Sequence, residues 1–133
     1  MLLLVHAVDE LFTSNPDLDR AEADKVLSLF SGRQLAGFFT FDSPSPGFLA
    51  ATDEGIVQAL SFGHMVVLTS LPYSGLSAIH HVDSSDEGVE LMGFSGQVNG
   101  EDVPVTAIVD LWESGAAGRL LRYVSSITGV RVT

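Results

Sequence analysis

Carboxylates are the side chains in this sequence whose number and spacing could do chemistry. Three of them lie in the polar connection Asp83-Ser84-Ser85-Asp86-Glu87-Gly88, and three more lie near the ends of the strand-like segments that follow. The predicted cluster at one end of a sheet is Asp83, Asp86, Glu87, Glu90, Asp110 and Glu113. Such a cluster attracts cations or a basic protein and speeds association in a salt-sensitive way. The alternative is that this connection is simply polar, as surface loops usually are.

Histidine next to these acids offers a second kind of chemistry. His80 and His81 are consecutive on a predicted strand, so their rings point to opposite faces. His80 is predicted to share a face with apolar Leu76, Ala78 and Val82, and His81 to share one with Ser77 and Asp83. His81 with Asp83 and another carboxylate could hold a divalent ion, but the pattern contains no closed ligand set. The sequence therefore predicts no metal and no cofactor.

Signals of catalysis are weak throughout the chain. Neither Ser74 nor Ser95 completes the G-x-S-x-G pattern, which places a nucleophilic serine on a strand-to-helix turn. No Walker pattern is present, and Gly115 and Gly118 lack the strand-to-helix fingerprint of a phosphate loop. We assign no catalytic residues and expect a binding protein rather than an enzyme.

Composition excludes several classes of protein. The chain has 133 residues, 17 acidic and 6 basic side chains, a net charge of −11 and no cysteine. The lack of cysteine rules out disulfide scaffolds and thiolate metal sites and favours a cytoplasmic location. The apolar start, residues 1–5, is too short to span a membrane and has no preceding Lys or Arg. The strong negative charge opposes nucleic-acid binding.

Charge is distributed unevenly along the chain. Residues 1–113 contain all 17 acids and only three cations, for a net charge of −14, whereas residues 114–133 contain Arg119, Arg122 and Arg131 and no acid. These arginines could neutralise carboxylates of the same domain, or they could meet the acids of a partner or of a second copy. The first interpretation is favoured, because scattered arginines near acids usually form weak surface pairs.

The first half of the chain is predicted to contain two helices and two strands. Asn15-Pro16-Asp17 is a good helix start, and the helix is expected to end near Ser31. Strands are predicted at 35–42 and 48–51. Thr52-Asp53-Glu54 is expected to cap a second helix that ends at Gly63. Residues 2–12 are compatible with either a strand or a short helix.

The second half is predicted to be mainly β-structure. Met65 to Leu71 is apolar on both faces, as in a central strand, and strands follow at 76–83 and 89–98. Asn99-Gly100 favours a tight hairpin that fixes the register, with Phe94 opposite Val105. A last helix is expected from Ser114 to Thr128, ended by Gly129.

Together these patterns predict one α+β domain over residues 1–133, with a mainly antiparallel sheet of five to six strands packed with three helices. The expected function is an acidic module that masks or holds a basic partner protein, as inhibitors, immunity proteins and secretion chaperones do. The alternative is a small enzyme or ligand-binding domain that uses His81 and neighbouring carboxylates, with or without a divalent cation. Homodimerisation through the C-terminal helix is a further alternative. Neither nucleic acid nor a membrane is expected as a partner.

Overall fold

The computed structural model describes residues 35–41, 45–84, 89–110 and 114–133, together with the single positions 21, 24 and 28. In chain order the strands are β1 (Leu35–Phe41), β2 (Gly47–Thr52), β3 (Gly55–Phe62), β4 (Met65–Pro72), β5 (Leu76–Ser84), β6 (Val89–Val98) and β7 (Glu101–Val109), and helix α1 (Ser114–Thr128) follows. Positions 21, 24 and 28 are helical, as predicted for 16–31. The rest of that predicted helix, and residues 2–12, lie outside the described residues.

The strands form two antiparallel sheets. Strands β1-β2-β3-β4 form a four-stranded sheet, and β5-β6-β7 form a three-stranded sheet. The predicted fold, one sheet of five to six strands packed with three helices, is therefore wrong. Each sheet is a meander of short hairpins, and α1 is the only continuous helix in the described part of the chain.

The largest local error concerns the second predicted helix, which was expected to begin at Thr52 and end at Gly63, because Gly55–Phe62 form strand β3 instead. The Thr52 hydroxyl oxygen accepts hydrogen bonds from the backbone N–H groups of Glu54 at 3.1 Å and Gly55 at 3.2 Å. The same side chain that could cap a helix thus closes the β2–β3 turn. Pairing with β2 and β4 along both edges of β3 then outweighs the local helical preference.

The position of β4 is a second difference. Its apolar sequence predicted a central strand, but β4 is an edge strand of the four-stranded sheet. Met65 and Val67 are exposed, and only Leu71 at the far end of the strand is fully buried. The central strands of this sheet are β2 and β3, and every residue of β2 is buried.

One hydrophobic cluster connects the two sheets and α1. It includes Phe39, Leu49, Ile56, Leu71, Ile79, Phe94, Val105, Leu120 and Val124. The other face of the four-stranded sheet is buried as well, since Phe48, Ala50 and Ala59 have no exposed surface. The three-stranded sheet differs, because only one of its faces is buried.

The β6–β7 hairpin confirms the prediction made from Asn99-Gly100. Both residues have positive φ, 54° and 81°, as a tight hairpin turn of this kind requires. Phe94 lies opposite Val105, as expected.

The C-terminal segment also follows the prediction. Helix α1 spans the predicted residues, and Gly129 ends it with a φ of 76°. Val132 then forms a parallel bridge with Ile79, and Thr133 exchanges two backbone hydrogen bonds with β5. This short segment therefore lies along the outer edge of β5.

Candidate functional site

The three-stranded sheet presents an exposed apolar row on its outer face. Val82 pairs directly with Leu91, and Leu91 pairs directly with Ile108. Their exposed fractions are 52%, 39% and 40%, although all three are large apolar residues. Directly opposed side chains in neighbouring strands are in contact range. We call these three residues the outer row.

The middle of this face is uncharged as well. The outward positions there include no Asp, Glu, Lys or Arg: Ala78, His80, Val82, Leu91, Gly93, Ser95, Pro104, Thr106 and Ile108. Asp102 lies on the same face at the Asn99-Gly100 end, where it accepts a hydrogen bond from Gln97. Exposed, uncharged apolar surface of this kind on a protein typically marks an interaction site.

Acidic residues follow directly beyond the outer row. Asp83 pairs with Glu90, and Asp110 comes immediately after the partner of Glu90 in β7. The backbone therefore brings Asp83, Glu90 and Asp110 to one end of the sheet. Asp86, Glu87 and Glu113 lie outside the described residues, and for Asp83 only the backbone is described. The six-carboxylate cluster as a whole stays a prediction.

Glu90 has a different environment from a surface carboxylate. Its side chain is on the inner face, only 10% exposed, and its Oε1 is 2.8 Å from Nε2 of His81. His81 is therefore the partner of a buried carboxylate. His80 is on the face opposite to that of His81, as predicted, and this is the outer face. Its Nδ1 is 3.0 Å from the hydroxyl of Thr133.

A register shift changes the expected neighbours of the two histidines. The β5–β6 pairing is irregular between Leu76 and Ala78. Leu76 consequently belongs to the buried cluster on the inner face rather than to the face of His80. Such a shift adds one residue to one strand and cannot be read from alternation alone.

A cavity of about 450 Å³ that is largely open to solvent lies beside His81. Its walls come from β5, from one side of α1 and from the C-terminal segment, and they include Leu121, Arg122, Ser126 and Val132. Apart from His81, the polar lining residues come from residues 114–133, which carry three arginines and no acid.

The glycines of α1 do not pack against a sheet. An added Cβ at Gly115 would meet Arg119 Nη1 at 3.5 Å, and one at Gly118 would meet Arg122 Nη1 at 3.4 Å. Both arginines are exposed. The glycines therefore make room for arginine side chains that fold back along the helix.

Metal ligation receives no support from the described residues. Among them, no three His, Asp or Glu side chains are grouped closely enough to hold an ion. Within the same part of the chain, no helix has the length and apolar character needed to cross a bilayer.

A second apolar patch lies at the β3–β4 turn. Phe62 pairs with Met65, and Val67 follows on the same strand face. All three are between 42% and 51% exposed. Because Val67 is about as exposed as Leu91 and Ile108, it is a suitable control position for substitutions in the outer row.

Comparisons with known proteins add no family to this picture. Models of protein families give no match to the chain, and neither curated proteins nor solved structures give one. Any functional conclusion rests on the residues themselves.

Sequence reasoning missed the outer row, although the signal was present. The hairpin at Asn99-Gly100 fixes Leu91 opposite Ile108, and both are apolar at positions that alternation turns outward. An apolar residue on the outward face of two paired strands was the available sign.

Proposed function

We propose that this protein is an acidic protein-binding module that masks or holds a basic partner on the outer face of its three-stranded sheet. The observation that carries the proposal is the outer row, an exposed apolar row across three strands. It lies next to the strand ends that carry Asp83 and Asp110. An apolar centre with a charged border is the usual anatomy of a protein interface.

The two parts of this surface have different tasks in the proposal. The apolar row supplies contact area, which lowers the dissociation rate. The acidic end and the net charge of −11 steer a basic partner and raise the association rate. Since salt screens charges over about 10 Å at 0.1 M, the association rate should fall as salt is added.

The proposed partner is a basic protein with an apolar patch of its own. Masking such a partner would suit an inhibitor or immunity protein, and holding it would suit a secretion chaperone. Both functions use the same surface, and the identity of the partner distinguishes them.

The alternative function is a small enzyme or ligand-binding domain that uses His81. The hydrogen bond between His81 and Glu90 favours it, because a carboxylate that fixes an imidazole is common in functional sites. In the version with a divalent cation, metal should copurify with the protein or raise its melting temperature, and the absence of both effects excludes that version.

The proposal is tested by capturing the partner protein from an extract of the native cell, with the natural chain and with a variant whose acidic charges are reversed. The immobilised protein is compared with a variant in which Asp83, Asp86 and Glu87 are all replaced by Lys. We expect the natural chain to retain a basic protein that is released as salt is raised, and the variant to lose it.

A control variant with reversed charges elsewhere on the sheet shows whether the position of the charges matters. Replacing Glu101 and Asp102 by Lys changes charge at the opposite end of the same sheet, where both are exposed. This control should retain the partner at physiological salt. Binding that is indifferent to ionic strength and unchanged by the triple substitution would rule the proposal out.

A further inference from the structure

The cavity beside His81 has the composition of a small-molecule site. Its volume of about 450 Å³ lies within the range of about 300–1,000 Å³ typical of such sites. Leu121 and Val132 provide apolar wall, while His81, Arg122 and Ser126 provide polar atoms. A mainly apolar wall with a few polar groups is what orients a small ligand.

Arg122 is the charged group that this cavity offers. Its side chain is exposed, and it is the only Lys or Arg among the residues that line the cavity. Gly118 in the preceding turn lacks the side chain that would crowd the guanidinium. The planar guanidinium donates two parallel hydrogen bonds to a carboxylate, which fixes the orientation of an anionic group.

The surroundings favour a single negative charge on the ligand. The segment 114–133 contributes three arginines and no acid, which favours an anion despite the net charge of the chain. The buried Glu90 carboxylate on the other side of His81 would repel a doubly charged group such as phosphate. Nε2 of His81 is hydrogen-bonded to Glu90, so Nδ1 is the ring nitrogen that is left to contact a ligand.

The C-terminal segment, which forms the cavity wall opposite α1, is held in place by hydrogen bonds at both ends. Ser125 donates a hydrogen bond to the carbonyl of Val130 at 2.7 Å, and Thr133 is bound to β5 through backbone hydrogen bonds. Val132 is therefore fixed between two anchored residues. A wall held in this way is preformed, so a ligand need not order it on binding.

We propose that this cavity binds a monocarboxylate with a short apolar tail, its carboxylate on Arg122 and its tail against Leu121 and Val132. The site lies on the inner side of β5, away from the outer row. It is therefore independent of the protein-binding surface proposed above.

Hexanoate and hexanol are the probes that test this site, because they share a tail and differ in charge. Binding is measured by calorimetric titration of the full chain at millimolar probe concentrations. We expect hexanoate to bind and hexanol to bind at least about tenfold more weakly, as loss of a charged hydrogen bond predicts. Arg122→Gln should weaken hexanoate binding by about tenfold.

Arg119→Gln is the matched control, because Arg119 is exposed on the same helix and does not line the cavity. It should bind hexanoate like the natural chain, and so should Leu91→Ala, which alters only the outer face. Absence of hexanoate binding, equal binding of hexanol, or equal losses from the two arginine variants would each overturn the proposal.

Discussion

A single side-chain hydrogen bond fixes each of two polar residues, the half-buried Tyr73 and the buried Glu90. The hydroxyl of Tyr73 donates to the carbonyl of Thr52 at 2.6 Å, and the backbone N–H of Tyr73 donates to Glu54. Tyr73 lies in the turn that joins the two sheets, so these bonds fix the point where the chain passes from one sheet to the other. Glu90 is fixed by His81 in a similar way.

Tyr73 makes stability depend on alkaline pH. Burial, with smaller contributions from Tyr123 and Asp53, raises the pKa of Tyr73 well above its ordinary value of 10. The unfolded chain therefore loses this proton first, so the contribution of Tyr73 is complete below pH 10 and is lost as the pH rises further. We expect the free energy of unfolding to fall more steeply above pH 10 in the natural chain than in Tyr73→Phe.

Urea unfolding of the natural chain and of Tyr73→Phe at a series of pH values measures this difference in pH dependence. Near neutral pH, Tyr73→Phe should cost about 1 kcal/mol, because the carbonyl of Thr52 loses its partner. If the free energy of unfolding fell with the same slope above pH 10 in the natural chain and in Tyr73→Phe, Tyr73 would ionise equally in the folded and unfolded states, which would contradict the prediction.

The His81–Glu90 pair gives a second prediction at this scale. His81→Ala should lower the free energy of unfolding by about 1–3 kcal/mol, because it leaves a carboxylate that is 10% exposed without its partner. Adding Glu90→Gln should recover part of the loss, since a neutral amide is less costly to bury. Denaturant unfolding of the single and double variants measures this coupling, and purely additive losses would contradict it.

Strand β6 illustrates how far the sequence determines an element. Its hairpin with β7 was predictable because Asn99-Gly100 fixes the turn and alternation then fixes the faces. Residues 52–63 were not predictable, because Thr52 accepts the same backbone hydrogen bonds in a turn as in a helix cap. Strand β4 was not predictable either, since an apolar run does not reveal whether a neighbouring strand lies beyond it.

The two faces of β6 should respond differently to truncation. Phe94 is 1% exposed in the core, so Phe94→Ala should cost about 3–5 kcal/mol. Leu91→Ala, on the outer face, should cost less than about 1 kcal/mol. Unfolding in urea compares them, and equal losses would mean that Leu91 is part of a core rather than of a docking surface.

At the scale of the molecule, two surfaces of opposite character are separated by the three-stranded sheet. The outer face has an apolar centre with acidic residues near the strand ends, and the inner side carries a cavity between β5 and the arginine-bearing C-terminal segment. The sequence predicted this division of charge, and it placed Asp83, Glu90 and Asp110 at one end of a sheet. It could not predict that Leu76 would join the inner face, because that depends on the irregular β5–β6 pairing.

The affinity of the captured basic partner for outer-row variants tests the central claim most directly. Titration calorimetry should compare the natural chain with Leu91→Ala/Ile108→Ala and with Val67→Ala, a control at the β3–β4 patch of similar exposure. We expect the double variant to bind the partner at least about tenfold more weakly and the control to bind it with unchanged affinity. Unchanged affinity of the double variant, or a loss confined to Val67→Ala, would contradict it.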